Sequence, residues 1–158
     1  MTSVLVRPAR RNEARRLAEL LAEIAEERDS IASEPPIDLG ERTRAFAASI
    51  DGTIVAVADE ELIGSLHIEP SRFGVGEIGM GITRPWRGRG VGALLMTAAL
   101  EKARTDGLHK LSLEVFPHNA AAVALYRKFG FVEEGRRVKH YRRASGELWD
   151  ALVMGRSV

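Results

Sequence analysis

Apolar and polar residues change their spacing several times along this chain, and each change marks an element. Residues 3–7, S-V-L-V-R, read as a first strand stopped by Pro8. A helix follows, with Asn12 as its expected cap and Leu17, Leu20, Leu21 and Ile24 at the spacing of one buried stripe. Residues 31–39, I-A-S-E-P-P-I-D-L, break it, because paired prolines drive their neighbours toward extended geometry. An exposed loop of this kind is a common place for substrate contacts. A short helix is expected over 41–50, ended by Asp51-Gly52. Residues 53–58 and 62–68 then form an antiparallel hairpin about Asp59-Glu60-Glu61.

The second half repeats the alternation. Residues 76–83, G-E-I-G-M-G-I-T, read as a strand whose glycines weaken pairing but permit a bulge or the close approach of a ligand. The helix after it is expected to bury Val91, Leu94, Leu95, Ala98 and Ala99, and Asp106-Gly107 closes it. Residues 110–116 form a strand with Leu111, Leu113 and Val115 on one face and Ser112, Glu114 and Phe116 on the other. Asn119 caps a further helix that Gly130 stops, and 132–141 with 148–156 close as a hairpin around Ala144-Ser145-Gly146. The expected fold class is α/β, a mixed sheet with helices on both faces, in a single domain spanning 1–158.

Composition narrows the choice of function. At 158 residues, 45% hydrophobic and 28% charged, the chain reads as a soluble globular protein. A net charge of +1 argues against a dedicated nucleic-acid binder. The strongest basic cluster, residues 136–143, reads as the solvated face of an edge strand, with attraction of an acidic cosubstrate or an acidic amine substrate as the alternative. There are no cysteines, so thiol nucleophiles, disulfides and thiolate metal sites are all excluded. His67, His109, His118 and His140 lack the spacing of a ligand set, so no metal is expected. No charged-then-apolar leader opens the chain and no apolar run approaches the roughly 18 residues of a membrane span, so a cytoplasmic location without membrane contact is expected.

Chemistry concentrates where the strand over 76–83 runs into the next helix. Gly88, Gly90 and Gly92 alternate with Arg87, Arg89 and Val91 at a helix start, where the first backbone N–H groups lack acceptors. Such a turn can grip an anion, with the helix dipole and the arginine charges assisting, and pyrophosphate is the natural ligand. Strand-to-helix turns also use glycine for backbone reasons alone. Two common phosphate loops are absent: Leu95 stands where a dinucleotide fingerprint needs glycine, and no Gly-Lys-Ser/Thr occurs. Asn119 and Tyr126, two helical turns apart, can face one groove.

Together these segments resemble the GNAT superfamily of acetyl-CoA-dependent N-acetyltransferases. The motif Arg/Gln-x-x-Gly-x-Gly/Ala is met by Arg87, Gly90 and Gly92, and L-E-V-F-P-H-N-A-A-A-V-A-L-Y-R-K-F-G-F is similar to the segment ending L-Y-x-x-x-G-F. The resemblance implies a mostly antiparallel sheet splayed between its fourth and fifth strands, with acetyl-CoA as cosubstrate. It implies pyrophosphate binding by backbone N–H groups of Gly88, Arg89, Gly90, Val91, Gly92 and Ala93. It further implies pairing of the pantetheine arm with Met80, Gly81 and Ile82, and a contact from Asn119. Tyr126 would serve as acid to the leaving thiolate, and Glu114 as base, with Glu77 the alternative and a water chain a third option. The implied acceptor is a small-molecule amine such as an amino acid or a polyamine-like amine, a pattern that Asp150 and Met154 match. Glu114 pulls toward protein N-terminal acetylation, and a non-catalytic acyl-CoA-binding regulatory module is the third reading. Homodimers are frequent among such proteins.

Overall fold

The computed structural model describes residues 2–158. Seven strands, β1 (Leu5–Pro8), β2 (Thr53–Ala58), β3 (Glu61–Pro70), β4 (Val75–Ile82), β5 (Lys110–Val115), β6 (Val132–Arg142) and β7 (Leu148–Ser157), form one sheet in the order β1-β2-β3-β4-β5-β7-β6. Every neighbouring pair is antiparallel except β4–β5. Helices α1 (Ala14–Ala25) and α2 (Leu39–Ala48) cover one face, and α3 (Val91–Thr105) and α4 (Ala120–Lys128) the other.

Strand β2 makes this division visible, since its alternate residues serve different layers. Ile54, Ala56 and Ala58 join Leu95, Met96 and Ala99 of α3 in the main core. Val55 packs with Leu17 of α1, and Val57 lies against the same cluster. Each such fully buried leucine contributes about 1.5–3 kcal/mol relative to exposure. The hairpin β2–β3 turns through Asp59 and Glu60 with φ of 49° and 65°, the paired left-handed geometry that matches strand twist.

Several local expectations change. Asn12 does not cap α1; a 3₁₀ turn over Arg11–Glu13 precedes the helix, and Glu13 Oε1 accepts from the Arg10 N–H at 2.7 Å. Pro8 ends β1 from within the pairing, opposite Ile54. The second helix begins earlier than read, because Asp38 Oδ1 accepts from the Glu41 N–H at 3.0 Å and caps it. Leu94 is 46% exposed, and α3 instead buries Val91, Gly92, Leu95, Met96 and Ala99. A drift of 100° per residue carries position 94 off the buried face.

Candidate active site

Strands β4 and β5 pair only through Val75–Lys110, Gly76–Leu111 and Glu77–Ser112, and beyond that seam they diverge. The opening is a cleft of about 590 Å³ bordered by Met80, Ile82, Glu114, Asn119, Tyr126 and Tyr141. Along the β4 wall past that seam the backbone has no strand partner on the β5 side. The Thr83 N–H donates to Ile63 O at 2.9 Å, so by antiparallel alternation residues 81 and 79 bond to β3 while Ile82 and Met80, past the last β4–β5 pair, turn their N–H and C=O toward the cleft. Arg87 Nε donates to Ile82 O at 2.9 Å, as that direction requires. No bulge is involved. The β3–β4 register runs unbroken from Gly64–Ile82 to Pro70–Gly76, and the irregularity lies between β2 and β3 at Ala56/Val57.

At the end of β4 a 3₁₀ turn over Arg84–Trp86 leads into the glycine turn. Gly88 and Gly90 have φ of 71° and 84°, a conformation that residues with a Cβ resist. Gly92 has a different reason for being small: a Cβ there would stand 2.7 Å from Leu125 Cδ2, so it lets α3 close against α4. The first bonded amide of the helix is Leu94, whose N–H donates to Gly90 O at 3.2 Å. Among the described residues, the N–H groups of Gly88, Arg89, Gly90, Val91, Gly92 and Ala93 have no protein acceptor. Six donors at the positive end of a helix dipole suit a polyanion.

The arginine side chains behave otherwise than expected. Arg87 grips Glu27 with Nη1 at 2.6 Å and Nη2 at 2.8 Å, and Arg84 reaches the same carboxylate at 3.1 Å. Hydrogen bonds from Arg87 and then Arg84 hold the Glu27 carboxyl below the usual range. Arg89 stacks on Trp86 at 4.0 Å. The turn therefore presents backbone amides, while the charge of Arg87 is matched by an acid that sequence reading did not single out.

Tyr126 is 7% exposed, and burial pushes its phenol up to about 12. Its hydroxyl has no protein partner among the described residues. Asn119 caps α4, its Oδ1 accepting from the Ala122 N–H at 3.3 Å, which leaves its amide NH₂ as a donor beside the cleft. Glu114 lies on the opposite wall, accepting from Tyr141 Oη at 3.3 Å and pairing with Arg137 Nε at 3.0 Å. Glu77 sits at the closed end of the seam opposite Ser112 and does not border the cleft. Tyr141 reaches Glu114 past a register shift in β6–β7 between Arg137 and Tyr141, where Asp150 Oδ1 accepts from the Lys139 N–H at 2.7 Å. Met154 is fully buried in the core.

Part of the long break becomes a roof. Asp29, Ser30, Ile31 and Ala32 border the cleft. His118 Nε2 lies 3.0 Å from both the backbone O and Oδ1 of Asp29. Arg143, expected on a solvated edge, is 4% exposed. It donates to Ala32 O at 3.0 Å and Ile31 O at 3.3 Å, and its guanidinium lies against the rings of Phe116 (5.3 Å) and Trp149 (4.3 Å), which meet each other edge to face. The rest of β6 is mainly exposed, as an edge strand should be. Among the described residues no three His, Asp or Glu side chains gather for a metal, and no helix is long and apolar enough to cross a membrane.

Residues 15–131 match the family described as "Acetyltransferase (GNAT) family". The chain belongs to the GNAT acetyltransferases. Members of this family draw acetyl from acetyl-CoA, and the unbonded amides of the turn and of β4 fit a phosphorylated carrier with an amide-bearing arm. The chain is 35% identical over 111 residues to the L-amino acid N-acetyltransferase AaaT of Escherichia coli K12, a match covering 65% of this chain and 66% of that one, just under two thirds of its length. The ribosomal-protein-alanine N-acetyltransferase of Brucella melitensis superposes with a TM-score of 0.88 at 26% identity, covering 98% of this chain and 99% of that one. The same GNAT fold occurs in a phosphinothricin acetyltransferase from Sinorhizobium meliloti crystallised with AcCoA, with a TM-score of 0.87, 19% identity, and 98% and 88% of the two chains covered.

Proposed function

We propose that this chain transfers acetyl from acetyl-CoA to the primary amine of a small molecule such as an amino acid. The observation that carries the reading is spatial: of the six residues with unbonded N–H groups at the start of α3, five (Gly88, Gly90, Val91, Gly92 and Ala93) border the cleft that also holds a buried phenol and a carboxylate. Acetyl-CoA supplies an activated thioester when bound. The residues Gly88 to Ala93 clamp its pyrophosphate through backbone N–H groups, and the exposed edge at Met80 and Ile82 aligns its amide-bearing arm. The Ile82 N–H lies where a carbonyl oxygen can be polarised.

An ammonium has no lone pair, so the amine must first lose a proton, and Glu114 at the cleft wall accepts it. Tyr126, protonated at every physiological pH, donates its proton to the departing thiolate. Transfer is direct, since no cysteine can carry an acyl intermediate.

A second reading, acetylation of a protein N-terminus, has the placement of Glu114 at the cleft and the likeness to the Brucella enzyme in its favour. Thiol release from acetyl-CoA over a panel of amino acids, polyamines and an alanine-initiated peptide tests both. Release with amino acids supports the proposal, and release with the peptide alone replaces it by the second reading. Tight acetyl-CoA binding without thiol release from any amine would mark a binding module.

A further inference from the structure

On the α1–α2 face of the sheet lies a second cavity of about 310 Å³, bounded by Leu17, Leu21 and Ile24 of α1, Phe46 of α2 and the backbone of Gly79 and Gly81. It shares Ile31, Gly79, Met80 and Gly81 with the cleft, so the two spaces meet at the edge of β4. The glycines keep that junction thin. A Cβ at Gly79 would meet nothing within 4 Å and so would project into open space, and one at Gly81 would stand 2.8 Å from Ile24 Cδ1.

The charge of this cavity is one-sided. Arg42 borders it, half-buried, and its hydrogen bond runs from Nη2 to Ser33 Oγ at 3.0 Å. Arg7, Arg84, Arg87, Arg136 and Arg137 each pair with a carboxylate, whereas none of the described carboxylates pairs with Arg42. No Asp or Glu borders the cavity, and His67 is engaged by Thr53 Oγ1 at 3.2 Å and Glu69 at 3.0 Å. An apolar chamber with one unmatched guanidinium at its wall suits a ligand that is both anionic and apolar.

We propose that this cavity is the acceptor subsite for an apolar α-amino acid, with its carboxylate on Arg42, its side chain among Leu21, Ile24 and Phe46, and its amine turned toward the cleft across Gly79 and Met80. This rests on the acetyl-transfer reading and makes its substrate class specific: the same cation disfavours polyamines. Arg42 is a specificity-determining residue here, outside the reacting atoms.

Steady-state kinetics of L-leucine against L-leucinamide, which lacks the carboxylate, test it in wild type and in Arg42→Gln. The expected result is that wild type prefers L-leucine. The variant should raise its KM about 10- to 100-fold, the scale of one charged hydrogen-bonded pair. The KM values for leucinamide and acetyl-CoA should stay unchanged, and Arg42→Lys should recover part of the loss. Helix α2 buries no residue, so these variants should fold, and a thermal melt confirms it. Ala45→Trp, which narrows the chamber, should move preference from leucine toward glycine. Equal handling of leucine and leucinamide by wild type, or an unchanged ratio in Arg42→Gln, overturns the proposal. Should no amine release thiol, the acetyl-transfer reading fails separately. Calorimetric titration of L-leucine into the CoA-loaded protein then decides the subsite: heat lost in Arg42→Gln supports it, and equal or absent heat overturns it.

Discussion

Replacing Arg143 with methionine removes the charge that ties the roof of the cleft to the far hairpin while keeping much of the side chain's bulk. Two well-placed bonds vanish, those to Ala32 O at 3.0 Å and Ile31 O at 3.3 Å. Hydrogen bonds from a charged donor contribute about 1.5–3 kcal/mol each, so the gross loss is about 3–6 kcal/mol. Against it stands Arg143 Nε, buried with no partner, which costs about 1–3 kcal/mol and which methionine lacks. The thioether also packs against Phe116 and Trp149 in place of the guanidinium. Taking the middle of each range, a net destabilisation of about 2–3 kcal/mol remains. At roughly 3 °C per kcal/mol for a domain of this length, calorimetry should register a fall in Tm of about 6–9 °C. Hydrogen exchange should quicken chiefly at the amides of residues 28–34. A melt within about 1 °C of wild type, with exchange in that segment unaltered, would falsify the assignment of Arg143 as the tether.

Tyr126→Phe should lower kcat by about 10²-fold or more while calorimetry finds acetyl-CoA affinity unchanged; an unaltered kcat removes the phenol from the mechanism. Burial holds the Tyr126 proton more tightly in the folded state than in the unfolded chain. Its stabilising contribution is therefore complete below about pH 10 and fades as pH rises toward about 12. A descending rate limb below about pH 9 that disappears in the phenylalanine variant would contradict this. Glu27 has the opposite sign, its lowered carboxyl contributing stability above the ordinary carboxylate range that is lost as acid protonates it. Melts taken from about pH 6 down to about pH 3 should fall less steeply in Glu27→Gln than in wild type. Gly90→Ala forces a methyl group onto a φ of 84° and should cost about 1–2 kcal/mol and weaken acetyl-CoA binding. Gly79→Ala, at an open position, should leave the melt near that of wild type.

The strands and helices were legible because each carries its own period. Val55 and Ile54 report the two faces of β2, and Asn119 and Gly130 bracket α4 through local chemistry. Gly88 and Gly90 could be read as backbone devices for the same reason, whereas Gly92 looked alike and serves helix packing. What escaped was set by residues far apart in the chain. Glu27 meets Arg87 across 60 positions and Arg143 meets Ala32 across 111, and neither partner leaves a trace near the other. A cluster such as 136–143 looks uniformly solvated from composition, although its members end in different places. Arg136 pairs with Asp150, Arg137 with Glu114, and Arg143 lies under the roof. Leu94 misled for a nearer cause, since a stripe of apolar residues one position wide of the core still scores as periodic.

The three-pair seam between β4 and β5 leaves the molecule with a strand border in its interior. Open borders ordinarily invite other polypeptides to add on, yet this one is walled by α3 and α4 on one side and the 29–32 stretch on the other. Width then acts as a sieve. A slender, singly linked tether with its own amides can lie against Met80 and Ile82, whereas a β-ribbon would need about 5 Å per strand with space for side chains above and below. Inserting such a tether breaks no existing ladder bond, so the sheet can load and unload without partial unfolding.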